Sequence, residues 1–237
     1  MAPPAQRRRR GRALPRQARL HQDRRRRAQG RLLRRARLLI GTVLAAVLAA
    51  ALWWRRNPSA CPYSQRFWVE APHPLITRER LRDVLAPRSG EAILELGPGT
   101  GYYSLELAGW VAPDGRIELF DIQQEMLDHV MRRAAERGLA NLSPTRGDAA
   151  SLPYPDSSVD AVVLTTVLGE IADRRSAMAE IARVLRPGGR LVVGELFGDP
   201  HFTTPAEVER LGAEAGLVLE SRSGPWIGSF SRLVKPG

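Results

Sequence analysis

The spacing of hydrophobic and polar positions changes character twice along the chain. Residues 1–37 show no regular apolar face, and Leu38–Trp54 is then an uncharged run of 17 residues between Arg37 and Arg55. From Thr77 onward, short apolar runs alternate with helical spacings. Thr77 followed by Arg-Glu-Arg-Leu-Arg-Asp-Val-Leu predicts an N-capped helix that stops before Pro87. A strand over Ala92–Leu96 comes next, then a helix over residues 102–109 and a turn at Pro113-Asp114-Gly115. Residues 116–120 predict a strand ending at Asp121, and 123–137 an amphipathic helix with Met126, Leu127, Val130 and Met131 on one face.

The second half continues the alternation. A short strand near residues 143–146 precedes Gly147-Asp148-Ala149, and Val159–Leu164 is apolar throughout except for Asp160. Such a run marks a strand covered on both faces. A helix over 174–185 leads into Arg186-Pro187-Gly188-Gly189, where glycine is expected to cap the helix and feed a strand over 191–196. A helix over 205–215 and a closing antiparallel pair, 217–221 with 227–234 around Gly224-Pro225, complete the pattern. Strands alternating with helices predict an α/β fold.

The candidate chemistry gathers at Glu95-Leu96-Gly97-Pro98-Gly99-Thr100-Gly101. A buried strand ends in an acid and glycines follow at alternate positions, so the turn accepts positive φ and lets a ligand lie against bare backbone. The helix behind it would aim free N–H groups at the turn. A glycine-rich turn that binds nothing satisfies the same pattern. The dinucleotide fingerprint G-x-G-x-x-G needs glycine at 102, where this chain has Tyr102. Asp121 follows Gly101 by 20 residues; an acid there can accept both hydroxyls of a ribose, and it can equally cap the following helix.

Glu preceding G-x-G-x-G resembles the first motif of class I S-adenosylmethionine-dependent methyltransferases. Arg183-Val184-Leu185-Arg186-Pro187-Gly188-Gly189-Arg190-Leu191 is similar to the helix–turn–strand of the same family, near the ubiquinone/menaquinone-biosynthesis C-methyltransferases. The resemblance covers residues 77–237. It implies a Rossmann-like, seven-stranded, mostly parallel sheet with a closing antiparallel strand and helices on both faces. It implies S-adenosylmethionine as cofactor, held by Glu95, Gly97, Pro98, Gly99, Thr100, Gly101, Asp121, Ile122, Asp148, Ala149 and Thr165. Glu95 would take the ammonium, Asp121 the ribose and Asp148 the adenine amino group. The implied reaction is methyl transfer to a small lipophilic acceptor: a quinone precursor, an aromatic lipid or a phospholipid headgroup. Glu170, His201 and His73 are candidate bases, needed only if the acceptor must lose a proton. No catalytic metal is implied. Rival readings are a membrane-tethered binding module without turnover and a nicotinamide-dependent reductase.

Charge reshapes the amino terminus. The net +11 belongs to a tail: residues 1–37 hold fifteen arginines and a single acid, Asp23, and the remaining 200 residues sum to −3. A basic nucleic-acid-binding face on the folded part is thus unsupported. The tail is expected to be disordered, with anionic lipid headgroups its natural partner. Residues 38–54 predict one transmembrane helix of roughly 26 Å against a ~30 Å hydrocarbon core, with Trp53 and Trp54 at the interface. Arginines ahead of that helix place the amino terminus in the cytoplasm and the domain outside, whereas the expected cofactor places the domain in the cytoplasm. A shallow anchor, or synthesis beginning near Val43, reconciles the two. Residues 55–76 form a linker or lid whose Tyr63, Phe67, Trp68 and His73 either line an acceptor pocket or pack on the domain. Cys61 is the only cysteine, so neither an internal disulfide nor a thiolate metal cluster is available.

Overall fold

A computed structural model describes residues 37–53, 57–70 and 73–237. The chain divides into two units, 1–53 and 54–237. In the first, residues 37–53 form helix α1, whose Leu38, Ile40, Val43, Leu44, Val47 and Leu48 side chains are exposed. Among the described residues no helix is long and apolar enough to cross a membrane. The expected span over 38–54 thus has no support among the described residues, and Trp54, its last residue, lies outside them. The expected disorder of the arginine tail lies outside the described residues.

The second unit is a seven-stranded sheet ordered β3-β2-β1-β4-β5-β7-β6. The strands are β1 (Ala92–Leu96), β2 (Arg116–Asp121), β3 (Leu142–Arg146), β4 (Val159–Thr165), β5 (Leu185–Leu196), β6 (Val218–Ser223) and β7 (Gly228–Val234). All neighbouring pairs from β3 to β5 are parallel, and β7 runs antiparallel to both β5 and β6. The helices are α2 (Phe67–Glu70), α3 (Arg78–Leu85), α4 (Ser104–Val111), α5 (Gln124–Glu136), α6 (Arg174–Val184) and α7 (Pro205–Glu214).

The period-2 geometry of strands explains the two cores. Ile93, Ile117, Leu119, Ala161, Val163 and Val192 face one side, with α3, α4 and α5 residues packed on them. Leu94, Leu96, Phe120, Val162, Leu164, Leu191 and Val193 face the other, under α6 and α7. β1 and β4 are central and need apolar residues on both faces, as their runs predict. β3 lies at an edge, where Pro144 removes no needed ladder donor.

Local signals act as expected at α3. Thr77 Oγ1 accepts from the Arg80 N–H at 3.2 Å, and Ala86, in the left-handed region at φ 48°, closes the helix. The expected glycine cap on α6 is corrected. That helix ends at Val184, Leu185 already pairs with Val159, and residues 186–189 form an irregularity before Ala161 pairs with Arg190. The capping is done from the chain end: Lys235 Nζ donates to the carbonyls of Ala182 and Leu185, both at 2.7 Å.

At the amino-terminal edge of the strands, a largely buried ion pair joins Glu91, just before β1, to Arg190 on β5. Arg190 makes two bonds to the Glu91 carboxylate, at 2.9 and 2.6 Å, and donates to the Leu85 and Ala86 carbonyls. Fork-to-carboxylate geometry of this kind satisfies nearly all of a buried guanidinium. The opposite, carboxyl-terminal edge is left for ligands.

Candidate active site

The sheet order changes direction between β1 and β4, and a crevice opens there at the strand ends. It holds a cavity of about 260 Å³. Leu96, Gly97 and Gly99 from the β1 turn form one wall; Asp121, Ile122, Gln123 and Met126 form another. Gly147, Asp148 and Ala149 follow β3, and Thr165, Thr166, Val167, Glu170, Ile171 and Ala172 follow β4.

The glycine turn is built as its sequence requires. Gly97, Gly99 and Gly101 have φ of 66°, 54° and 83°. A Cβ on Gly97 would stand 2.4 Å from Val167 Cγ2, and one on Gly101 3.1 Å from Val130 Cγ1. The Gly97 N–H donates to the Phe120 carbonyl at 2.8 Å, tying the turn to β2. Helix α4 starts at Ser104, two residues later than the pattern predicts, because Thr100–Tyr103 are spent on the turn.

The expected cofactor residues divide into two groups. Gly97, Gly99, Asp121, Ile122, Asp148, Ala149 and Thr165 line the one cavity. Pro98, Thr100, Gly101 and Glu95 do not. Glu95 lies in the interior with 3 % of its surface exposed and its Oε2 lacks a hydrogen-bond partner. Burial pushes its pKa up to about 7, with the Ser104 hydroxyl opposing the rise and Asp121 adding to it.

Asp121 serves the local backbone and the cavity together. Its Oδ1 accepts the Gln123 N–H at 2.8 Å, while Gln123, not Asp121, occupies the N-cap position of α5. Burial raises its pKa to about 6 against those backbone bonds. Asp148 Oδ1 accepts the Ala150 N–H at 2.9 Å and the residue is exposed. Thr165 Oγ1 is buried without a partner, and Thr166 is held at φ 56°, an uncommon conformation for a β-branched residue.

Of the three candidate bases, Glu170 lines the cavity and His73 and His201 do not. Glu170 ends a short 3₁₀ turn, Leu168–Glu170. Its pKa is pushed up to about 8, first by burial and then by the nearby Asp199 carboxylate, with the Cys61 backbone amide opposing. Burial likewise raises Glu195 to about 8 and lifts Asp199. His73 packs edge-on against Tyr102 at 5.2 Å, and burial lowers its pKa. His201 is buried; its N–H donates to Asp199 Oδ1 at 2.7 Å, and its carbonyl leaves no room for a side chain at Gly169.

Of the two readings of the lead-in aromatics, packing on the domain is the one found for Tyr63 and His73. Pro58, Ser59, Ala60 and Cys61 form part of the cavity wall, whereas Tyr63, Phe67 and His73 do not. Tyr63 hydrogen-bonds His129 on α5 at 3.2 Å instead. Nothing in the spacing of residues 57–63 marks them as cavity lining; only fold-back over sixty residues of chain brings them there.

The residues present fit an S-adenosylmethionine molecule. Gly97 and Gly99 present bare backbone at the cavity wall, two acids stand on neighbouring strand tips, and Thr165 offers an unspent hydroxyl.

Residues 93–189 match the family described as "Methyltransferase domain". An uncharacterized 37.1 kDa protein in a transposon of Streptomyces fradiae is 43% identical over 113 residues, covering 48% of this chain and 32% of that protein. A ubiquinone/menaquinone biosynthesis C-methyltransferase of Cellvibrio japonicus is 38% identical over 115 residues, 48% of this chain and 46% of the relative. The chain thus spans under half the length of these relatives. Among solved structures, a SAM-dependent methyltransferase from Aquifex aeolicus superposes with a TM-score of 0.68 at 19% identity, over 74% of this chain and 98% of that one. At that identity the superposition shows the fold. Residues 93–189 are thus similar to methyltransferase domains, and the solved neighbour shares the fold of the second unit.

Proposed function

We propose that this chain transfers a methyl group from S-adenosylmethionine to a small lipophilic acceptor at a membrane. The observation that carries the reading is the convergence of Gly97, Gly99, Asp121, Asp148 and Thr165 on one cavity at the strand-order reversal. When bound, S-adenosylmethionine supplies a methyl group already activated by its sulfonium. The chain's own work is to position and to exclude water. The glycine turn lets the ligand approach the backbone, Asp121 accepts from ribose hydroxyls, Asp148 accepts from the adenine edge, and buried Glu95, its pKa near 7, ionises behind the turn against a ligand ammonium. Ile122, Met126, Val167 and Ile171 give the cavity an apolar lining. Glu170, with its pKa near 8, holds or takes a proton at its carboxyl oxygen if the acceptor must lose one.

Similarity to quinone-biosynthesis C-methyltransferases supports an aromatic, quinone-type acceptor. The exposed leucine and valine side chains of α1 support a seat at the bilayer through residues 38–54. The catalytic domain is placed on the cytoplasmic side, where the methyl donor is made. The test is to incubate the full chain with methyl-labelled S-adenosylmethionine and extracted membrane lipids, then identify labelled product by mass spectrometry. Calorimetric titration with S-adenosylmethionine and S-adenosylhomocysteine runs alongside. Binding of both and a labelled lipid supports the reading. Binding without any labelled product points to a module without turnover, and affinity for NADH alone points to a reductase.

A further inference from the structure

We infer that Gln123 is a positioning residue whose carboxamide buckles the segment Pro58–Tyr63 onto the cavity, so that cofactor and product exchange only when the buckle opens. The inference rests on the functional reading above for its ligand and on hydrogen-bond geometry for its device.

Gln123 Nε2 donates to the Cys61 carbonyl at 2.9 Å, and Gln123 Oε1 accepts the Tyr63 N–H at 3.1 Å. One side chain thus satisfies an acceptor and a donor two residues apart, the pairing that an adjacent strand would provide. The side chain is available because Gln123, although at the N-cap of α5, makes no capping bond. Glutamine also combines the needed reach with one donor and one acceptor; glutamate cannot donate and asparagine is a methylene shorter.

Both ends of the buckle are tied to the site. Its root is fixed by Asp121, whose Oδ1 accepts the Gln123 N–H while the same residue lines the cavity. Its upper part, Pro58 to Cys61, is cavity wall, and the Cys61 backbone amide hydrogen-bonds Glu170, which lines the same cavity. Below, the Tyr63 hydroxyl meets His129 Nδ1 at 3.2 Å. Residues after β2, β4 and the lead-in therefore line the same space, and among the described residues one carboxamide makes both hydrogen bonds that join Cys61 and Tyr63 to the turn after β2.

The experiment compares the full wild-type chain with Gln123→Ala and Gln123→Glu in two measurements. The first is amide hydrogen exchange without ligand. Peptides covering 58–65 are expected to exchange faster in both variants, with Gln123→Glu intermediate because it can still accept from Tyr63, and with β1, β4 and β5 unchanged. The second is release of S-adenosylhomocysteine, followed by stopped-flow chase, together with KM and kcat. Two net hydrogen bonds of about fivefold each predict release roughly ten- to thirtyfold faster in Gln123→Ala. KM for the cofactor should rise. Unchanged exchange at 58–65 overturns the buckle. Faster exchange with unchanged release overturns its control of the cavity, as does a lower melting temperature with unchanged release. A wild-type chain that fails to bind S-adenosylhomocysteine overturns the functional reading instead, and the exchange measurement still decides the buckle.

Discussion

Replacing Gly97 by alanine tests the central turn from two independent directions. The residue sits at φ 66°, where a Cβ costs roughly 1–2 kcal/mol. The new Cβ would also meet Val167 Cγ2 at 2.4 Å and Cγ1 at 2.9 Å. Valine is stiff about χ1, so relief requires moving the β4 turn, an overpacking cost of about 1–3 kcal/mol. Together these give a destabilisation of about 2–5 kcal/mol, or a melting temperature lower by about 4–20 °C for a domain of this size. Val167→Ala in the same chain removes both γ carbons and leaves only Val167 Cβ, at 3.2 Å from the new atom. The double variant should therefore recover the overpacking part as a coupling of about 1–3 kcal/mol and keep the backbone part. Urea denaturation of wild type, both singles and the double closes the cycle, with S-adenosylhomocysteine affinity measured on each. A Gly97→Ala chain as stable as wild type would refute the backbone argument, and zero coupling would refute the steric one.

Three further outcomes are expected. Asp121→Asn keeps an oxygen for the Gln123 N–H but loses the charge offered to ribose hydroxyls, so cofactor affinity should fall about 10–100-fold; calorimetry giving a change within twofold would remove Asp121 from the site. Glu170 and Glu195, both held near pKa 8, bind more protons in the folded chain than the unfolded one between about pH 4.5 and 8. The ligand-free protein should thus lose stability as pH rises through that window, and Glu170→Gln should flatten the melting-temperature profile between pH 5.5 and 8.5; an unaltered slope counts against the burial argument. Arg190→Ala strands the half-buried Glu91 carboxylate, and a loss of about 3–5 kcal/mol in unfolding free energy by urea denaturation is expected, with cofactor affinity intact because the pair lies at the opposite edge of the sheet.

The elements most legible in the sequence are those whose cause is local. β1 and β4 are recognisable because a strand buried on both faces reads as a nearly continuous apolar run, interrupted here only by Glu95 and Asp160, and Thr77 and the glycines at 97, 99 and 101 announce a cap and a tight turn by their own conformational preferences. The α6 ending misleads for the opposite reason. Gly188 and Gly189 look like a helix cap, but the carbonyls they would serve are already taken by Lys235, some fifty residues away.

What the sequence by itself determined is the alternation of strands and helices, the glycine turn and the acids at the strand ends, since each follows from spacing within a few residues. Tertiary structure decided which of those acids reach the cavity: Asp121 and Asp148 line it, Glu95 is enclosed, and Glu170 gains its high pKa from burial beside Asp199. It also decided that Pro58–Cys61 close one wall and that Gln123 holds them there. Burial, dielectric environment and hydrogen bonds across sixty residues are properties of the assembled sheet, and no local pattern encodes them.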